Sequence, residues 1–498
     1  YQVLETCLIS VTRNADISFD EEKFEDTEED FRKQVLKLLK KRGRLAVVRM
    51  ELNHEISEQF FARLTKLVQV DGEQCFIDPC PLQMGYVYAL AGALSRGKAK
   101  RLSYRPYVSR WPEDLEREKD ILSQIQRQDR LLFYPFDSVD PFLRLLSEAA
   151  ERPDVLSIKI TIYRLASSSK IAHILCRAAE NGKEVLVLME LRARFDEANN
   201  VAWSELLEEA GCQVVYGMEG FKCHSKICLI TLRDKGKMHY ITQIGTGNYN
   251  EKTNAMYTDL TLMTASERIG QDAVGFFRNM LVNDLAGQYQ ELLVSPYGIR
   301  EQLDVLIDQE MEKGEAGYIC IKANSVTERG IIDKLRAASQ AGVQVELIIR
   351  GICCILPGVP GETERIHVTS IVGRFLEHAR IYCFGKGADA KMYLSSADLM
   401  TRNLKRRVEI ACPVHDREIR EQLQWVLDCQ LRDNGKASFL CPDGTYHRKE
   451  HTLSTACNSQ GQFMAESFHQ PVEPEPEPVG FWQRVLGHWV HGKDNGTK

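Results

Sequence analysis

A chain of 498 residues is too long for one ordinary core, and about three domains are expected of it. With 44% hydrophobic and 27% charged residues it reads as a soluble globular protein, and no apolar run nears the roughly 18 residues that span a bilayer. The formal net charge of -6 argues against a broad nucleic-acid-binding surface, so no nucleic-acid partner is expected. The 15 cysteines are scattered and form no Cys-x-x-Cys, which reads as reduced cytoplasmic thiols and not a disulfide framework or zinc site.

Residues 1–130 read as an α+β head. The run 26–42 is acidic at its start and basic at its end, which suits a helix and its dipole. A strand is expected over 44–52. A helix follows over 57–68, with Phe60, Phe61, Leu64 and Leu67 on its apolar face. Prolines punctuate 79–112, and the charged stretch 113–130 reads as a solvated helix.

Residues 131–300 alternate strand and helix. Strands are expected at 155–163, 184–190 and 213–216, with helices at 137–151, 171–181 and 201–210. Gly182 and Gly211 close the last two helices. Such alternation argues for parallel strands with helices on the sheet faces. Next comes Phe221-Lys222-Cys223-His224-Ser225-Lys226, with an apolar strand after it and the turn Gly245-Thr246-Gly247-Asn248 beyond. Residues two apart on a strand point the same way. An imidazole, an ammonium and a turn of backbone N–H groups suit attack by His224 on phosphorus, with cations holding the oxygens. An isolated His-x-Lys is more often a core histidine beside a surface lysine.

Residues 301–435 repeat the pattern. Strands are expected at 318–323 and 345–349, the second ending at Arg350, with a helix over 330–340 between them. Phe375-Leu376-Glu377-His378-Ala379-Arg380 then enters a strand. Ser395-Ser396-Ala397-Asp398 stands where the first half has Gly245-Thr246-Gly247-Asn248. An internal repeat of this kind implies two like halves, facing so that His224 meets His378. Residues 436–498 read as a flexible tail. It contains an acidic proline spacer at 471–478 and an apolar stripe of Phe481, Trp482, Val485, Leu486, Trp489 and Val490, which suits a helix docking on a partner or a membrane surface.

The paired His/Lys/Asn halves resemble the phospholipase D superfamily. Within it they resemble most the polyphosphate kinases of the long, histidine-phosphorylating type. The likeness rests on Ile162-Tyr163-Arg164, the run 190–197, the His224 stretch, the run 244–253, Tyr257-Thr258-Asp259, Arg350-Gly351, the run 370–378 and the run 393–403. It implies two phospholipase D-like α/β catalytic domains behind the α+β head, with this chain starting after the N-terminal helical domain usual in the family. It implies reversible transfer of the terminal phosphate of ATP to inorganic polyphosphate through phosphohistidine at His224. His378 would act as acid or base, or as a phosphate contact, and Lys226 would assist. Tyr257, Arg350 and His378 match ATP-contacting positions. Arg164 and Arg194 match the magnesium and phosphate site; a guanidinium cannot ligate a metal, so they read as phosphate ligands beside Mg²⁺. Asn248, Arg374, Arg402 and Arg407 are weaker candidates for the polyphosphate path. ATP, ADP and polyphosphate would be its partners, in a homo-oligomer in the cytoplasm that is peripheral to the membrane if the tail docks there. The alternatives are a phospholipase D-like phosphodiesterase and a non-catalytic binder of polyphosphate.

Overall fold

The computed structural model describes residues 2–14, 45–191, 197–217, 220–448 and 456–468. The expected helix at 26–42, Arg194 with most of its loop, the proline spacer and the terminal apolar stripe lie outside the described residues.

The head is a three-stranded sheet. Val47–Leu52 is central, antiparallel to Ile9–Arg13 and parallel to Cys75–Ile77. The expected helix forms as Glu58–Val68, with Ser57 capping its first turn. Its Leu64 packs with Met50 and Leu52 in a small separate core. The stretch 113–130 departs from its expected form. Only Ile121–Arg127 is helical, and Ile121, Leu122 and Ile125 are buried in the core of the first half. The high charge of the stretch sits in its flanks, while an apolar i, i+1, i+4 face drives the helix inward.

The two halves share one topology. In the first, the path runs Tyr257–Thr264, Lys237–Gly245, Ile227–Asp234, Val155–Ile162, Glu184–Met189, Gln213–Tyr216. In the second it runs Ile410–Pro413, Lys391–Ser395, Ile381–Phe384, Tyr318–Ala323, Gln344–Ile349, Ile366–Ile371. The last three strands of each path are parallel, as the alternation implied. The first three are antiparallel hairpin partners, which the alternation did not show. The sheets are α/β layers whose facing sides merge. Leu229, Ile244, Leu262 and Phe276 of the first half share a buried cluster with Cys320, Cys383, Met392 and Ile410 of the second.

Two short strand pairs stitch the halves together. Lys222–Cys223 lies parallel to Arg407–Val408, and Leu376–Glu377 lies parallel to Tyr257–Thr258. The stretch from 436, expected as flexible tail, is built into the fold where it is described. Ala437–Leu440 and Tyr446–Arg448 extend the second sheet beyond Ile366–Ile371. Ser459–Phe468 is a helix seated on both halves. All 15 cysteines are free. Among the described residues no helix is long and apolar enough to cross a membrane.

Candidate active site

Each stitch ends at one of the two histidines. His224 follows Lys222–Cys223, and its backbone N–H donates to Val408 O at 2.8 Å. The next residue of the second half is Glu409, whose carboxylate lies 2.9 Å from His224 Nδ1. Glu409 is 0% exposed and also accepts from Ser396 Oγ at 2.5 Å and Asn403 Nδ2 at 2.6 Å. A carboxylate at Nδ1 fixes the tautomer: Nδ1 carries the proton and Nε2 keeps its lone pair. Burial, reinforced by the nearby Lys226, Arg407 and Arg380 cations, holds the His224 pKa well below its usual value. The imidazole is therefore neutral near pH 7, as a nucleophile must be. The Tyr163 ring meets it edge-on with centroids 4.8 Å apart, which fixes the plane of attack.

His378 repeats this arrangement with the halves exchanged. Its N–H donates to Thr258 O at 3.2 Å, and Asp259, the next residue, places its carboxylate 2.9 Å from His378 Nδ1. Thr246 Oγ1 donates to Asp259 at 2.7 Å, as Ser396 does to Glu409. In both halves hydroxyl and carboxylate are 13 residues apart. So each half supplies the hydroxyl and carboxylate that orient the other half's histidine. Gly247 is required here, because a Cβ at that position would collide with the Asp259 carboxylate. Burial lowers the His378 pKa, with Asp259 opposing. Burial alone would raise Asp259, but His378, Thr246 and Arg380 outweigh it and hold it below the usual carboxylate range.

The cations two residues on break the symmetry. Lys226 is buried and its Nζ donates to the His224 carbonyl. Burial pulls its pKa down to about 7 against the pull of Glu409, with Arg380 and Arg407 adding to the fall. Arg380 instead forks onto Asp398 with two bonds of 3.1 Å and donates to His378 O at 2.8 Å. Asp398 stands where the first half has Asn248, whose buried Oδ1 has no hydrogen-bond partner. Arg380→Met would leave the buried Asp398 charge uncompensated. The expected loss is about 3–5 kcal/mol of folding stability, read by chemical denaturation; a loss below about 1 kcal/mol contradicts it.

Lys226 gives a signed pH prediction. Its folded pKa lies below the unfolded value of about 10.4, so the unfolded chain binds more protons between the two. Lys226's own contribution to stability therefore rises with pH between about 7 and about 10, against the opposite slope of the buried thiols, whose pKa values burial raises. Lys226→Met should abolish that rise in ligand-free protein. Parallel stability curves for wild type and variant over this range would refute the assignment.

The structure brings most of the remaining candidates to the site. Arg350 ends its strand and donates through Nε to Asn324 Oδ1 at 2.7 Å and Glu377 O at 2.6 Å, one residue from His378. The Tyr257 ring lies 5.2 Å from the His378 ring. Arg164 lies beside the Tyr163 ring at 5.6 Å, and Arg407 reaches Glu409 at 4.0 Å. Arg402 is exposed on the short helix Thr401–Lys405. Arg374 is not brought to the histidines. Its guanidinium packs over Tyr104, Phe375 and Tyr107 and donates to Arg105 O, in a contact with the segment after the head sheet. Glu409 carries the geometry without having been quoted, while Thr246, Asp259, Ser396, Arg380 and Asp398 stood in the quoted runs without a role of their own. For the two hydroxyl–carboxylate pairs the signal was present as the repeated 13-residue spacing. Among the described residues no three His, Cys, Asp or Glu side chains converge as a cation cage.

Comparison with known proteins accords with this geometry. Residues 1–90 match the polyphosphate kinase middle domain, 120–286 match polyphosphate kinase C-terminal domain 1, and 292–460 match C-terminal domain 2. The chain is 40% identical over 503 residues to the polyphosphate kinase of Staphylococcus epidermidis, covering 98% of this chain and 67% of that protein. It is 42% identical over 451 residues to the polyphosphate kinase of Bacillus cereus, covering 90% of this chain and 64% of that one. The chain thus spans about two thirds of the length of these relatives. The crystal structure of polyphosphate kinase from Porphyromonas gingivalis superposes with a TM-score of 0.74 at 32% identity, over 94% of this chain and 69% of that one. With three matched domains in unbroken order and such identity over nearly its whole length, the chain belongs to the polyphosphate kinase family.

Proposed function

We propose that this chain transfers the terminal phosphate of ATP to inorganic polyphosphate, reversibly, through a phosphohistidine at His224. The observation that carries this reading is the neutral, buried His224 imidazole with Nδ1 committed to Glu409 and Nε2 left to react. In the first step the Nε2 lone pair forms a bond to the γ-phosphorus while the bond to the β-bridging oxygen breaks. ADP leaves with that electron pair. The ring, now bonded at both nitrogens, carries positive charge that the Glu409 carboxylate balances. In the second step a terminal oxygen of polyphosphate attacks phosphorus, and the P–N bond returns its pair to Nε2.

The work of the protein is positioning and charge neutralisation. Lys226, Arg407 and Arg164 lie on the His224 side. Arg350, Tyr257 and His378 lie on the other, which suits them to hold the nucleotide phosphates. His378 would contact the leaving oxygen through an Nε2–H only when its ring is protonated, with the Asp259 carboxylate at Nδ1 balancing that charge. The described residues do not fit a cation cage, so Mg²⁺ would enter bound to the nucleotide phosphates and water, as it commonly does. Use of ATP favours a cytoplasmic setting for this reaction.

The test is incubation with γ-labelled ATP, scored for acid-labile, base-stable phosphate on the protein and for polyphosphate formed. Binding of polyphosphate without any labelling of folded protein would sink the reading. Hydrolysis of a phosphodiester without polyphosphate synthesis would replace it with a phosphodiesterase.

A further inference from the structure

Glu377, beside His378, is a junction. Its Oε2 accepts from Lys322 Nζ at 2.6 Å, Gln430 Nε2 at 2.7 Å and Thr258 Oγ1 at 2.9 Å. Its Oε1 accepts from Gln460 Nε2 at 2.7 Å. Its backbone oxygen accepts from Arg350 Nε. One residue thus sets the backbone at His378 and the direction of the Arg350 guanidinium.

Gln460 differs from the other partners in origin. It comes from the helix Ser459–Phe468, which follows the last strand of the second sheet. It is 1% exposed. The same amide also pairs with the backbone of Phe375, accepting from its N–H at 2.9 Å and donating to its carbonyl at 2.9 Å. That is the bonding of an added strand residue, made by a side chain. The segment 375–377 is therefore held on one side by the Tyr257–Thr258 stitch and on the other by Gln460. Gly373 permits the approach, since a Cβ there would collide with Gln460 Oε1.

The helix is anchored independently of that amide. Asp433 accepts from Ser459 N and Oγ, each at 2.7 Å. Phe463 stacks edge-on with Phe133 and Phe136 of the first half and Trp425 of the second, at 5.1, 5.3 and 5.1 Å. Packing and capping thus seat the helix, and an apolar residue of equal volume at 460 would also fill the space. A buried amide making three hydrogen bonds adds direction, which packing alone does not.

We propose that Gln460 is a positioning residue for the nucleotide side of the site. Its amide clamps residues 375–377 and so fixes the backbone at His378 and the direction of the Arg350 guanidinium. This rests on the reading that His378 and Arg350 hold ATP.

The test uses the full chain with Gln460→Met, which keeps the volume and removes all three bonds. Gln462→Ala on the same helix, where Gln462 bonds only locally to Glu466, is the control. Gln460→Met should raise the KM for ATP and lower kcat/KM about tenfold to hundredfold, with Gln462→Ala near wild type. A merely structural role would lower the active fraction, cutting kcat and leaving KM unchanged, and that result overturns the proposal. So does a folded Gln460→Met with wild-type kinetics. Should Gln460→Met fail to fold, Gln460→Glu decides. Its carboxyl faces Glu377, with Lys322 on the far oxygen, and donates only when protonated. Its kcat/KM relative to wild type should climb as pH falls, and a flat ratio overturns the proposal. Failure of wild type to become labelled by ATP is a separate result, which removes the phosphotransfer reading itself.

Discussion

His224→Ala is expected to abolish ATP-dependent labelling of the protein and to cut polyphosphate synthesis by at least about 10⁴-fold. No other described group can stand in for the imidazole at that place. Lys226 turns its Nζ to the His224 carbonyl, and Cys223 is buried with its thiol pushed up to about 12, so it is no nucleophile. The mirror-image His378 is the instructive comparison. It has its own carboxylate, but Arg380 Nη1 lies 3.2 Å from each of its ring nitrogens. A fixed guanidinium against the ring draws on the electron density that attack requires. His378→Ala should therefore slow labelling while every remaining label stays on His224. Peptide mapping of the phosphoprotein checks both halves of this expectation. Label on His378 in the wild type, or full labelling of His224→Ala, would overturn the assignment of the nucleophile.

What the sequence made legible follows from how local each signal is. The parallel half of each sheet shows because strand, helix and glycine alternate within about thirty residues. The repeat shows because the His-x-Lys and His-x-Arg runs each precede an apolar strand and a small-residue turn. Both histidines and Lys226 were accordingly within reach, and Arg350 as the residue that ends its strand, whereas Tyr257 came only from the family resemblance. The orienting carboxylates were not. Glu409 acts on a histidine 185 residues away, and Asp259 on one 119 residues away. The 13-residue spacing to a hydroxyl marks each carboxylate, but only the exchange of partners between the halves shows which histidine it serves. Arg374 lies apart from its run for a related reason. Its neighbours in sequence belong to the His378 run, but its side chain is drawn aside by Tyr104 and Tyr107, which are remote in sequence. The stretch after 436 lacks a period because its order is tertiary: strands added at a sheet edge and a helix held by Asp433 and an aromatic cluster.

Glu409→Gln is expected to keep the fold and lose the reaction. The side chains have nearly the same shape; with its amide oxygen toward Asn403 that bond is kept, and the Ser396 hydroxyl can turn to accept from the amide NH₂. What changes is charge and proton placement. The carboxylate can only accept, so Nδ1 must carry the proton. A glutamine amide can turn its NH₂ toward Nδ1, which favours the tautomer protonated at Nε2 and removes the attacking lone pair. The variant also loses the anion that balances the phosphorylated ring, and Lys226 loses the counter-charge that raises its pKa. The three effects act in one direction, and a neutral amide at a histidine-orienting carboxylate costs about 10⁴-fold in a catalytic triad. Single-turnover labelling of His224 should slow by about 10³- to 10⁴-fold. Asp259→Asn, acting on a histidine that carries no phosphate, should slow labelling less. A labelling rate for Glu409→Gln within about threefold of wild type, too small for loss of an orienting carboxylate, would show that packing alone holds His224 and that the crossed carboxylates do not set its chemistry.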